Sequence, residues 1–175
     1  MIRELVAEAR RHGGLRQPTS WPLVVRRLGL AADRLPAPLD VIGSKLYGLA
    51  CLGLELTVGT VLHRETHIGE NLHLIHGTNI RIHPDAVLGA RVGINHSVTI
   101  GVQHRVEGAP RIGNDVLIGA GAIILGPVTI GDGAVICAGS LVINDIPPGK
   151  MAMGVPARPL PDRKADGATA SGTRV

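Results

Sequence analysis

Phenylalanine is absent from this chain of 175 residues, and Trp21 and Tyr47 are its one tryptophan and one tyrosine. A core without aromatics has to be assembled from Val, Ile, Leu and Ala, which calls for many small equivalent positions instead of a few large anchors. The same scarcity removes the stacking platforms that hold single-stranded nucleic acids. Cysteine is scarce as well: Cys51 and Cys137 lie far apart with no CxxC, so neither a disulfide framework nor a zinc ribbon is indicated. Both are expected to be buried, aliphatic-like thiols. Runs of like charge are lacking too, the densest being Arg10-Arg11 and Arg26-Arg27 in a chain of net charge +4. Scattered charge of this kind argues against nucleic acid as a partner. The opening "MIRELVAEARRHGG" is charged throughout and has no apolar stretch of the secretory type. The longest apolar segment, 41–62, is interrupted by Lys45 and Glu55, so it is expected to dock as a helix on the protein and not to span a membrane. The expectation is a cytoplasmic chain without a membrane partner.

What the chain does have is glycine and proline, 24 and 12 residues, too many for a helical bundle and without a collagen period. It also has a period of six. Ile82, Leu88, Ile94 and Ile100 recur at that spacing, then Ile112, Ile118, Ile124, Ile130, Ile136 and Val142. The next residue is often glycine (Gly89, Gly101, Gly113, Gly119, Gly131), and a small residue follows four places on, as at Ala86, Val92, Val98, Val116, Ala122, Val128, Ala134 and Ser140. This is neither the helix period nor strand alternation. A short strand and a turn, repeated, satisfy it; three units close one triangular coil, and stacked coils bury the aliphatic column. The glycine after each aliphatic is expected to relieve a crowded corner where positive φ is needed. The predicted fold is mostly β, a parallel β-helix of hexapeptide repeats.

Two places disturb the rhythm. Leu74 to Ile82 is eight residues, which puts two extra residues in "IHGTNIRI" and places His76 on a widened corner. Irregularities in a regular scaffold tend to re-aim side chains toward a site. The segment "GVQHRVEGAP", 101–110, stays in phase, but its composition favours an excursion loop over a pair of regular rungs. Residues 1–60 are expected to be an α-helical N-terminal region, with helices in "IRELVAEARRH", after a Ser20 cap with Pro22 in the first turn, and over 39–56. The β-helix is expected over 61–158, and 159–175, polar and small, as a disordered tail.

The run "IGENLHLIHGTNIRIHPDAVLG", then "INHSVTIG", "IGNDVLIGAGAIILGPVTIGDGAVICAGSLVINDIPPG" and "GVPARPL", resembles the serine acetyltransferases of the left-handed hexapeptide-repeat acyltransferases. It covers roughly residues 60–160. The resemblance implies a left-handed β-helix, acetyl-CoA as co-substrate with no metal, a small-molecule acceptor, and homo-oligomers, trimers in the first place, with active sites between subunits. The family's catalytic histidine lies in an Asp-His-Ala-Thr-Gly-like stretch, and "LIHGTNI" places His76 on it as general base. The resemblance also puts Gly101, Ala120 and Ala138 along the pantetheine arm, with Lys150 and Arg158 as candidates for the nucleotide phosphates. This chain departs from the family on the acceptor side. Ile75 stands where the family has an acid before the histidine, and Val61 stands at the acid that orients it. Gly108 and Ala109 of "GAPR" replace an Arg-His-Pro-Lys-like stretch.

The chemistry suits these residue types. When a hydroxyl attacks a thioester its proton must leave, and a neutral imidazole takes it, for about 10²- to 10⁴-fold in rate. The oxyanion that forms needs a donor, expected to be a backbone N–H near the corner glycines. For the acceptor, His96, His104 and Glu65 are the candidates, Glu65 as the nearest acid to replace the missing partner. Alternatives are an acetyltransferase of a sugar hydroxyl or amine, and a zinc hydro-lyase resembling the γ-type carbonic anhydrases. The latter needs three converging histidines, whereas His76, His96 and His104 are separated by 20 and 8. A catalytically silent β-helix is the remaining option.

Overall fold

The computed structural model describes residues 21–161. Two helices, α1 (Trp21–Ala32) and α2 (Leu39–Thr57), precede a run of very short strands. Pro22 sits in the first turn of α1, where a missing N–H is no loss. The helix expected near the N-terminus and the Ser20 cap lie outside the described residues.

The strands form three parallel faces. The first holds β1 (His67–Ile68), β4 (Val87–Leu88), β7 (Arg111–Ile112) and β10 (Thr129–Ile130). The second holds β2 (His73–Leu74), β5 (Gly93–Ile94), β8 (Leu117–Ile118), β11 (Val135–Ile136), β13 (Met151–Gly154) and an antiparallel β14 (Ala157–Pro159). The third holds β3 (Arg81–Ile82), β6 (Thr99–Gly101), β9 (Ile123–Leu125) and β12 (Leu141–Val142). Successive strands step from face to face, giving a parallel β-helix of about four turns. In the parallel strands the second residue points inward: Leu74, Ile82, Leu88, Ile94, Ile100, Ile112, Ile118, Ile124, Ile130 and Ile136 are at most 4% exposed. Burying one such side chain contributes about 1.5–3 kcal/mol, so a stack of aliphatics serves where aromatics are absent.

The glycines after the aliphatics have a different purpose from the one expected. A Cβ on Gly69 would lie 2.5 Å from the carbonyl carbon of Gly89, and one on Gly89 would lie 2.7 Å from that of Gly113. They are there because the next rung runs directly against them. At two of the three corners positive φ falls instead on the residue before the inward corner residue. Asn71, Arg91, Asp115 and Gly133 carry it at the corner of the first and second faces. Asn79, Ser97, Gly121 and Gly139 carry it at the corner of the second and third, with φ of 54–68° at all eight.

The two disturbances are resolved by register. Leu74 lies opposite Ile94 and Ile82 opposite Ile100, so the two extra residues sit between β2 and β3. Leu88 pairs with Ile112 and Ile100 with Ile124, six residues more than the 18 that separate Ile112 from Ile130. The surplus leaves the prism after Gly101 as a loop, with Val102 and Val106 exposed. At the other end the chain is still paired at Leu160, whose N–H bonds Met151, past the boundary expected at 158.

The helices are tied to the first coil by polar contacts. Arg64 pairs with Asp33 at 2.8 Å, Arg26 donates to the Thr66 carbonyl at 2.8 Å, and the Arg64 guanidinium stacks 5.1 Å from the Tyr47 ring centre. Burial, with a hydrogen bond to Cys51, pushes the Tyr47 phenol up to about 12. Docking of α2 is slighter than expected: Leu54 is its one buried residue, while Leu39, Ile42, Leu46, Leu49, Leu52 and Leu56 are at least half exposed. The helix is apolar nearly all round, and the prism offers it a single side. Cys51 and Cys137 are free and only partly buried, against expectation. Among the described residues no helix is long and apolar enough to cross a membrane.

Candidate active site

His76 stands at the corner between the second and third faces, on the turn that the two extra residues create. The turn is tight: the Thr78 N–H donates to the His76 carbonyl at 2.7 Å. Its exit is pinned from both sides, because Asn79 N–H donates to the Val58 carbonyl at 3.0 Å and Ser97 N–H to the Thr78 carbonyl at 3.0 Å. The next residue inward, Ile80, is buried and donates to the Thr60 hydroxyl at 2.9 Å. On this held backbone the His76 side chain is exposed.

Rung-to-rung hydrogen bonds show what lies along the same edge. Gly121 N–H donates to His96 at 3.0 Å and Gly139 N–H to Ala120 at 2.8 Å, so Thr78, His96, Ala120 and Ala138 stack as one column. His76 leads it, its ring centre 6.0 Å from that of His96 in an edge-to-face contact at 60°. Below the two imidazoles the column continues as Ala120 and Ala138. The ladder uses the amides of Gly119, Gly121, Cys137 and Gly139, which flank Ala120 and Ala138. A flat, small-residue strip with backbone groups beside it is what an extended amide-bearing arm requires.

Other expected residues are not gathered here within one chain. Gly101 ends β6 at the far side of the third face, and His104 is exposed on the loop that follows it. Lys150 precedes β13 at the opposite end of the second face from Ala138. Arg158 fares better: it pairs with Met153 at the end of that last rung, and Gly154 N–H bonds Ser140 just past Ala138. Glu65 is exposed and bound to Arg64 at 3.2 Å rather than to His76. Its own backbone N–H, then Arg64, hold its carboxyl below the usual range. Among the described residues of one chain no three His, Cys, Asp or Glu side chains come together as a metal set.

A feature that escaped the sequence is a cleft of about 560 Å³ between α2 and the third face. Cys51, Glu55, His63, Arg81, His83 and Gly101 line it, and the Arg81–Glu55 pair crosses it at 3.3 Å. No spacing rule joins a helix to a distant face, so nothing in the sequence announced it.

Residues 109–144 match the bacterial transferase hexapeptide family (six repeats). Serine acetyltransferase 4 of Arabidopsis thaliana is 41% identical over 134 residues, which cover 75% of this chain and 38% of that protein. Among solved structures, soybean serine acetyltransferase complexed with serine superposes with a TM-score of 0.71 at 33% identity, over 83% of this chain and 58% of that one. Serine acetyltransferase from Brucella abortus in complex with coenzyme A gives 0.63 at 29% identity, over 79% and 67%. In sequence and in fold the chain is similar to the serine acetyltransferases. It spans well under half the length of the Arabidopsis relative. In this hexapeptide-repeat setting the departures at Val61 and Ile75 have a visible consequence: Val61 bridges Arg81 on the third face and Ile75 is half-buried, so neither offers His76 a carboxylate.

Proposed function

We propose that the chain is an acetyl-CoA-dependent O-acetyltransferase, acting on serine or a serine-like small hydroxyl compound with His76 as general base. The observation that carries this reading is the placement of His76 by a two-residue insertion at the head of the Ala120–Ala138 edge. The acceptor hydroxyl gives its proton to the imidazole while its oxygen attacks the thioester carbon. The carbonyl electrons move to oxygen, the tetrahedral species collapses, and the sulfur leaves as thiolate. The imidazolium returns the proton to that thiolate, so acetyl ester and free thiol are the products. The pantetheine arm follows Ala120 and Ala138, and Arg158 lies where the edge ends, within range of a phosphate.

Homo-oligomers, trimers first, complete the proposal, with Gly101 and His104 reaching the His76 edge from a neighbouring protomer. Supporting this are the exposed apolar face of α2 and the exposed Leu117, Ile123, Ile143, Met151 and Met153 on the two faces beside the edge. A monomer mass in sedimentation equilibrium contradicts it. The acceptor is tested by following free thiol from acetyl-CoA with serine and with a panel of sugars and amino sugars. Serine is expected to give turnover; turnover with a sugar and none with serine overturns the acceptor assignment.

A further inference from the structure

The edge holds a second imidazole before the alanines begin, and the oxyanion of the proposed transfer needs a donor that Gly119, Gly121 and Gly139 do not supply. Along this edge the amides of Gly119, Gly121 and Gly139 are committed to Ile136, His96 and Ala120, at 2.8–3.0 Å. The expectation of a corner-glycine donor therefore fails at these three. Distance restricts the remaining choices. The attacking oxygen lies roughly 3 Å from the base, and the carbonyl oxygen about 2–3 Å beyond it, so the oxyanion forms roughly 5 Å from the His76 nitrogen. Its donor sits a further ~3 Å away at most. The Ala120 amide is two rungs below His76, about 10 Å along the axis, because rungs are spaced by about 4.8 Å. His96 is one rung below, its ring centre 6.0 Å from that of His76.

We infer that His96 is a catalytic residue, the side-chain donor to the thioester carbonyl oxygen as it becomes the oxyanion. The inference rests on the reading of His76 as base. His96 is well prepared for this work. Its carbonyl accepts the Gly121 N–H at 3.0 Å and the adjoining Ser97 hydroxyl is held by Asn79 at 3.4 Å, which fixes the backbone while the ring stays exposed. The ring contributes nothing to the core, so its replacement leaves the rungs standing. In the transfer it takes no proton from the acceptor. It places an N–H against the developing negative charge, and the charge returns to the carbon–oxygen double bond as the thiolate departs.

The test compares His96→Ala and His96→Gln with the parent in acetyl-CoA turnover, alongside thermal melting. A donor used in the transition state predicts kcat about 10²- to 10³-fold lower in His96→Ala. The KM for acetyl-CoA is then expected to move by less than about threefold. Glutamine keeps an N–H but is no base, so His96→Gln is expected to recover at least about tenfold of the loss. A parental rate in His96→Ala, or a glutamine variant no better than alanine, overturns the inference. If the alanine variant does not fold, His96→Gln against His96→Leu provides the same comparison. His76→Ala run beside them separates the two ideas. A parental rate there removes the base reading and this one with it, whereas an inactive His76→Ala beside a fully active His96→Ala removes this one alone.

Discussion

Turnover of acetyl-CoA falls by roughly 10²- to 10⁴-fold when His76 is replaced by alanine, while coenzyme A binding, read by calorimetry, shifts by less than about threefold. The size follows from what the imidazole does. Without it the acceptor proton passes to water, and the gain from a positioned base is lost. The separation of rate from binding follows from geometry. The proposed binding surface is Ala120, Ala138 and Arg158, lower on the edge, and His76 belongs to a turn whose backbone bonds run through Thr78, Asn79 and Ile80. None of these bonds uses the ring, so the alanine variant keeps its fold and its melting temperature. Unchanged turnover removes His76 from the mechanism.

The second large effect concerns the prism itself. Gly89→Val is expected to destabilise the protein by about 3 kcal/mol, because a side chain there meets backbone and not a yielding side chain. A Cβ at Gly89 lies 2.7 Å from the Gly113 carbonyl carbon and oxygen and 2.8 Å from Asn114 Oδ1. That oxygen already accepts the Ala90 N–H at 2.9 Å, so the intrusion breaks a second tie between the same rungs. In a chain of this size the loss lowers the melting temperature by roughly 6–12 °C. Gly139 makes the contrast. An added Cβ there meets nothing within 4 Å, and its φ of 67° is one that Asn79 and Ser97 already adopt on the same column. Gly139→Ala is expected to cost only about 1–2 kcal/mol, the ordinary left-handed penalty. Equal melting temperatures for the two variants contradict the account of rung spacing.

That contrast shows where the sequence was readable. The period of six reports inward aliphatics, since one missing methyl in the column is felt, and so the β-helix could be counted. The eight between Leu74 and Ile82 could be counted as well, and it led to His76. The purpose of the glycines could not be told apart, because a close approach and a positive φ both favour the same residue. The positions of positive φ were hidden further: Asn71, Arg91, Ser97 and Asp115 share a backbone state and no chemistry. The contact of His96 with His76 depends on a corner column that becomes visible only with the register. Residues eighteen apart across the loop look like neighbours by count, yet Ile100 pairs with Ile124 and not with Ile118. The place of Lys150 within one chain likewise needs the register. Ile136 pairs with Ala152, and Lys150, which precedes that strand, stands at the far corner from Ala138.

The most direct measurement is a crystal structure of the protein with coenzyme A. The arm is predicted to run down the column of His96, Ala120 and Ala138, with its sulfur at the His76 end, within roughly 4–6 Å of that imidazole. An arm seated along either of the other two edges, or a sulfur lying beside Ala138 with His76 facing empty solvent, contradicts the account.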